Sequence, residues 1–318
     1  GWAFSSTENI TTDSLGRVIR IGQGSPVLST SGSVDRSFLT LPNFLFLSSF
    51  KSDLKEVAKR YQDLKQNKAD TTADEEKLSK AFEEGFEALP FFRKIFGQFT
   101  PRVNWSLRWD GLEKLPMFSG FVSRLSLDHS YTSNYTRSFA NRPNGGGERT
   151  EGQRVMYGFA PLIGLNFTFK DLLKGSMGAN VRYNTNTTYD LAVSSRNIVE
   201  TLAQEISVTA SYSRRGFEIP FFGLSLNNDL EINASYSLTK NSRKQFEVTK
   251  LSVSNTEGTS LEGSTRTVLE PRIKYVLSQR VNAAVYYRHT KITPDAQGSA
   301  IPGSTTNEAG LDIHISIQ

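Results

Sequence analysis

From residue 224 to residue 238 every second residue but one is apolar: Leu224, Leu226, Asn228, Leu230, Ile232, Ala234, Tyr236 and Leu238, with Ser, Asn, Asp or Glu between them. A period of two sustained over this length exceeds an ordinary globular strand. A tilted strand of about 9–11 residues already crosses a bilayer, and alternating apolar-out, polar-in segments mark transmembrane β-barrels. The segment therefore reads as barrel wall.

The same alternation recurs. In residues 121–135 Phe121, Leu125, Leu127, Tyr131 and Tyr135 interleave with Arg124, Ser126, Asp128, Ser130, Thr132 and Asn134. Ile163, Leu165, Phe167 and Phe169 repeat it, as do Met177, Ala179, Val181 and Tyr183, and then Ile206, Val208, Ala210 and Tyr212. Further segments carry Leu269, Ile273, Tyr275 and Leu277; Val281, Ala283, Val285 and Tyr287; and Leu311, Ile313, Ile315 and Ile317. With Val103, Trp105, Leu107 and Trp109 the segments number nine. The expected fold class is all-β, an antiparallel transmembrane β-barrel wall over residues 100–318 with a small helical insertion.

The links between segments alternate in length on this reading: long near 136–157, 194–201, 240–263 and 293–304, short near 111–120, 171–175, 216–222 and 278–280. Short periplasmic turns and longer extracellular loops are the rule for such barrels. Open strand edges do not persist in lipid, so the strands must close on themselves or on further strands.

The first hundred residues differ. Leu54, Val57, Ala58, Tyr61 and Leu64 recur at helical spacing, and Thr72 with Glu75 forms a capping-box pattern ahead of Leu78, Ala81, Phe82 and Phe86. Residues 51–90 thus read as a helical hairpin on the extracellular side, residues 36–50 as a possible strand or lumenal segment, and Ser-, Thr- and Gly-rich residues 1–35 as a weakly ordered loop.

Composition narrows the function. The chain has 37 Lys and Arg against 32 Asp and Glu, spread along its length, so no nucleic-acid footprint is read. With no cysteine, disulfides and thiolate metal sites are excluded. The three histidines, His129, His289 and His314, lie on separate strands. His314 falls beside Asp312 and Ser316, but alternate residues of a strand stand about 7 Å apart, too wide for a triad. Residues 145–147, three glycines, lack the Lys-Ser or Lys-Thr of a phosphate loop. No catalytic, cofactor or metal residues are assigned, and the chain is not expected to be an enzyme. Tyrosines near strand ends, including Tyr131, Tyr189, Tyr212 and Tyr275, fit interfacial girdles. The polar positions that would face a lumen are Arg124, Asp128, Asn180, Arg182, Asn184, Asn227, Asp229, Glu231, Arg266, Glu270, Arg272, Lys274 and Arg288. Their mixed signs point to solvation and cross-strand pairing rather than a single-charge ring.

Several stretches, taken in order, resemble one family: residues 161–175 around Pro161 and Gly164, residues 215–229 from Arg215 to Asp229, residues 263–278 with Glu270-Pro271-Arg272, and residues 301–312 from Ile301-Pro302-Gly303 to Asp312, preceded by Asn104-Trp105-Ser106-Leu107-Arg108-Trp109. Over roughly residues 40–318 the chain resembles the SprA/Sov proteins, the giant outer-membrane translocon of the type IX secretion system and gliding motility in Bacteroidota. That resemblance implies the C-terminal portion of a longer polypeptide in the Gram-negative outer membrane. It also implies export of folded cargo bearing type IX C-terminal signal domains, with a PorV-type shuttle barrel and a periplasmic plug protein as partners alongside outer-membrane lipid. The absence of a start methionine or signal segment at Gly1 agrees with a cleaved leader or such a longer chain. Two alternatives use the same residues: a small self-closed porin or adhesin-like barrel, and an outer-membrane hydrolase.

Overall fold

The computed structural model describes residues 2–4, 31–36, 54–67, 72–86, 103–141, 148–170, 174–221, 224–250, 258–278, 280–295 and 301–316. They form one antiparallel sheet and two helices. In chain order the elements are β1 (Trp2–Phe4), β2 (Ser31–Arg36), α1 (Leu54–Gln66), α2 (Asp74–Phe86), β3 (Val103–Asp110), β4 (Val122–Asn141), β5 (Glu148–Phe169), β6 (Ser176–Ala192), β7 (Asn197–Phe221), β8 (Leu224–Glu247), β9 (Thr259–Val276), β10 (Val281–Pro294) and β11 (Ser304–Ile315). From β3 to β11 each strand pairs with its sequence neighbour, an up-and-down meander. Each of the nine alternating segments maps onto one of these nine strands, with Phe121 and Leu277 just outside the strand ends and Ile317 outside the described residues.

The register converts the period-two pattern into continuous rows. Leu127, Leu165, Val181, Val208, Tyr236 and Leu269 sit side by side on successive strands. A second row runs Met177, Tyr212, Ile232, Ile273, Val285 and Leu311, and a third Ile163, Tyr183, Ile206 and Leu238. Among the described residues many of these side chains stay exposed: Ile273 is 48% exposed, Val285 54%, Leu311 62% and Trp109 58%. One residue in β7 resets the phase. Gly216 at φ 63° opens a bulge between Arg214 and Phe217, so the apolar parity moves from even numbers (Tyr212) to odd (Phe217, opposite Asn228). Glycine enters that left-handed region without a Cβ penalty.

The strands overrun the apolar band. β7 has 25 residues and β8 has 24, about 80 Å at 3.3 Å per residue, against a hydrocarbon core of about 30 Å. The excess lies at the end carrying links 142–147, 193–196, 248–258 and 295–303, called the upper end below. This corrects the expected link lengths. The stretch 194–201 is not a long loop but the turn 193–196 followed by β7, and most of 136–157 and 240–263 is paired strand. At the lower end pairing runs past 216 to Phe221 opposite Leu224, whereas the link at 111–121 is among the longest. Polar runs such as residues 239–247 lose the alternation yet keep the backbone ladder, with Lys244 opposite Glu200.

β2 and β3 share one edge of β4. β2 pairs with residues 135–140 of β4 and β3 with residues 126–131, both antiparallel, so they are two halves of one strand position interrupted by residues 37–102. The gap is closed by a side chain. Ser133 N–H donates to Asn104 Oδ1 at 2.9 Å, and Asn104 Nδ2 donates to the Ser133 carbonyl at 3.5 Å, so one amide substitutes for a missing ladder residue. β1 and residues 31–35 of β2 thus fall within the stretch 1–35 that reads as loop. Of the possible strand at 36–50, Arg36 closes β2 and residues 37–50 lie outside the described residues.

α1 and α2 occupy the hairpin region. Leu54, Val57, Ala58 and Tyr61 of α1 meet Leu78, Ala81, Phe82 and Phe86 of α2, all nearly fully buried. Gly85 allows the close approach, since a Cβ there would stand 2.7 Å from the Val57 Cα. The hairpin packs on the sheet with Tyr131, Tyr135, Val155, Phe159, Tyr189 and Ile198. The ladders place these on the same face as the apolar rows, beyond their upper limit. Phe86 lies 4.6 Å from the Tyr189 ring, and Arg196 of the upper turn reaches Asp74 at 3.5 Å. Among the described residues β11 pairs only with β10, and the sheet remains open.

Candidate functional site

The opposite face of the sheet is hydrophilic across its width. Its middle row reads Ser126, Asn166, Asn180, Thr209, Ser235 and Glu270 on six adjacent strands. Small and polar side chains in the centre leave a shallow groove of about 530 Å³, lined among others by Asn180, Thr209, Ser211, Asn233 and Arg272.

Two kinds of polar contact divide this face. Over β4 to β6 amides dominate: Asn166 Nδ2 donates to Asp128 at 2.8 Å and contacts Ser126 at 3.2 Å, while Asn180 donates to Asn166. Arg108 approaches Asp128 at 3.9 Å. Between β6 and β7 Asn184 donates to Glu205 at 3.3 Å. Over β8 to β11 ion pairs take over: Lys274–Glu231 at 3.2 Å, Arg272–Asp312 at 3.0 Å, and Arg288 between Glu270 at 2.9 Å and Glu308 at 3.9 Å. All are cross-strand contacts between half-exposed groups, each worth a fraction of a kcal/mol in water. Over β8 to β11 they pair charges of opposite sign.

Of the thirteen positions singled out from the sequence, Asp128, Asn180, Asn184, Glu231, Glu270, Arg272, Lys274 and Arg288 join these contacts. Arg124 opposite Thr168, Arg182 opposite Gly164, and Arg266 opposite Thr239 hold register positions on the same face. Asp229 lies in β8 opposite the Gly216 bulge, and for Asn227 the ladder places the backbone opposite Glu218. Sequence reasoning passed over Arg108, Glu205, Glu308 and Asp312. Their opposite-charge or amide neighbours on adjacent strands were the signal, visible only once register is known.

The histidines are separate. His129 Nδ1 lies 2.7 Å from the Leu162 carbonyl, His289 Nδ1 lies 2.6 Å from Asn307 Oδ1, and His314 stands opposite Asn282. Among the described residues no group of three His, Asp or Glu is placed to hold a metal ion, and no helix is long and apolar enough to cross a membrane.

Outside the sheet two groups titrate abnormally. Burial, then the hydrogen bond its hydroxyl donates to Asp74 at 3.0 Å, pushes Tyr61 in α1 up to about 12. Glu113, in the lower turn after β3, accepts the Leu125 N–H at 3.0 Å, which holds its carboxyl below the usual range. That carboxylate caps a β4 donor just past the last β3 partner.

No family model matches the chain, and no curated protein matches it.

Proposed function

We propose that the chain forms part of the wall of an outer-membrane protein-conducting pore, a type IX secretion translocon of the SprA/Sov kind, through which folded cargo reaches the cell surface. The observation that carries this reading is the two-faced sheet. Rows of Leu, Ile, Val and Tyr remain exposed across at least six strands on one side, and an amide-and-ion-pair lattice covers the other. A contiguous exposed apolar face this large needs a lipid or protein cover. On this reading the cover is lipid, and the polar face lines water.

A wide pore suits the polar face. Over β8 to β11 charged groups meet opposite charges, over β4 to β7 amides meet carboxylates, and the central row is Asn, Ser and Thr up to Glu270, so a passing folded protein meets a hydrated surface of mixed sign. The open sheet also favours a piece of a larger wall over a self-closed small barrel. Among the described residues β11 offers an edge of 12 residues, whereas the opposite edge is broken: β1 occupies β3 at residues 103–105, leaving residues 106–110 of β3 and, apart from them, the six residues of β2. Lipid does not tolerate such a mismatch of unpaired backbone groups. Further strands, a PorV-type shuttle barrel and a periplasmic plug belong to this proposal.

A photo-reactive amino acid at Thr209, on the polar face, tests it in living cells. Cross-linking to exported proteins that carry a type IX C-terminal signal domain is expected from Thr209 and not from Ile273 on the apolar face. Cargo adducts from neither position, together with uptake of small solutes, would replace the translocon by a porin.

A further inference from the structure

The lower turn between β3 and β4 does not look like a solvated hairpin end. Residues 111–121 form an ordered knuckle. The Phe118 N–H donates to the Leu115 carbonyl at 2.9 Å, the Ser119 N–H donates to the same carbonyl at 3.0 Å, and the Val122 N–H donates to the Phe118 carbonyl at 3.0 Å. Two side chains tie it to the sheet: Glu113 of the turn accepts the Leu125 N–H, and the Lys170 ammonium at the end of β5 donates to the Ser119 carbonyl at 2.5 Å. Yet this fixed turn displays apolar groups to the outside, with Met117 72% exposed and Leu115 and Phe121 each 46%. An ordered turn has no folding reason to hold Met and Leu outward, because burying each would stabilise it by about 1.5–3 kcal/mol.

The knuckle is continuous with the apolar face of the wall. Phe118 meets Phe121 edge-on at 6.2 Å, Phe121 stacks on Phe169 at 6.4 Å, and Phe169 stacks on Phe167 at 6.0 Å. Phe167 stands beside Ala179 and one row from Leu165. Lys114 and Lys170, both exposed, flank the aromatic ladder. Aromatic rings backed by lysines are the composition that suits the phospholipid headgroup layer, where rings sit at the boundary and ammonium groups meet phosphates.

Resting on the reading of the apolar face as lipid-facing, we propose that this turn is a bilayer anchor. Leu115 and Met117 insert among the headgroups and upper acyl chains of the leaflet at the lower end, with Lys114 and Lys170 on its phosphates. The wall would then be held at fixed depth at the β3 to β4 corner.

The chain lacks cysteine, so single probes can be placed cleanly. The intact protein carrying Met117→Cys, and separately Ile273→Cys, is labelled with bimane and reconstituted in phosphatidylethanolamine–phosphatidylglycerol vesicles. Quenching is read with nitroxide lipids labelled near the headgroup or mid-chain, and with aqueous iodide. The expected result is mid-chain quenching at 273, and headgroup-proximal quenching at 117 at least twofold stronger than mid-chain or iodide quenching. Quenching of the 117 probe by iodide alone, or protection from all three quenchers as under a protein partner, overturns the anchor while the 273 probe still reports lipid. If the 273 probe itself answers only to iodide, the lipid-facing reading of the wall fails first.

Discussion

Ile273 decides whether the exposed apolar face is a membrane surface. It lies mid-way along the apolar stretch of β9, four residues from Leu269 and four from Leu277, with Ile232 and Val285 beside it on the neighbouring strands. In water an Arg at a 48% exposed position would shift stability by no more than about 0.5 kcal/mol. In a bilayer the midplane penalty for Arg on the lipid face is about 2–4 kcal/mol, falling to about 0–1 near the interfaces. Four residues span about 13 Å of strand, or roughly 10 Å of depth at the usual tilt, which takes Leu269 and Leu277 close to the two edges of a band about 25 Å tall. Ile273→Arg should therefore lower the folding equilibrium in vesicles roughly 30- to 1,000-fold, and Leu269→Arg and Leu277→Arg far less. Thr209→Arg, on the polar face between Asn180 and Ser235, should stay within about 0.5 kcal/mol of the parent. Urea unfolding followed by the fluorescence of Trp2, Trp105 and Trp109 reads all four. A flat profile across residues 269, 273 and 277, or an equal loss at Thr209, would refute the assignment of faces.

Other expectations concern the hairpin and the spliced strand. Asn104→Ala removes the amide that bonds both the Ser133 N–H and its carbonyl and should cost about 0.5–1.5 kcal/mol for each hydrogen bond lost, seen as faster hydrogen exchange at the Ser133 amide. Gly85→Ala forces a Cβ to within 2.5 Å of the Val57 side chain. It should destabilise the hairpin by about 1–3 kcal/mol, read as faster proteolysis within α1 and α2 while the ladders from β5 to β9 stay protected. Tyr61 has its folded pKa raised to about 12 from 10, so its contribution is intact below pH 10 and is lost as pH rises from 10 to 12. Exchange protection of α1 should fall over that window, and Tyr61→Phe should flatten the fall; an unchanged pH profile in the variant would exclude Tyr61 as its source.

The strands and the helical pair were legible because their signals are local. Alternation from Leu224 to Leu238 and helical spacing from Leu54 to Leu64 each fix one element without reference to any other. Link lengths were not legible. Residues 239–247 carry no alternation, yet they pair because Asn197–Glu205 of β7 lie on one side and Thr259–Arg266 of β9 lie beside residues 239–245 on the other. The change of phase at Gly216 was likewise hidden, since a glycine among polar residues reads equally as turn or bulge, and only the ladder on both sides decides. On the polar face the residue types were visible, but Arg272 meeting Asp312 across β10 depends on register between strands forty residues apart. Nor could Asn104 be seen as a splice, because its role depends on β2 ending at the Tyr135 partner Arg36.

That splice separates the hairpin from the geometry of the wall. In a closed sheet the strand count and the stagger of the ladder fix the circumference, and an extra residue retained in any strand would shift every register beyond it. Residues 37–102 leave and re-enter at one strand position, and β4 continues past the break with a side chain holding the ladder together. The hairpin is accordingly exchangeable in principle. It could be shortened, lengthened or replaced by a different surface module, and the register of β4 and of the strands beyond it would not change.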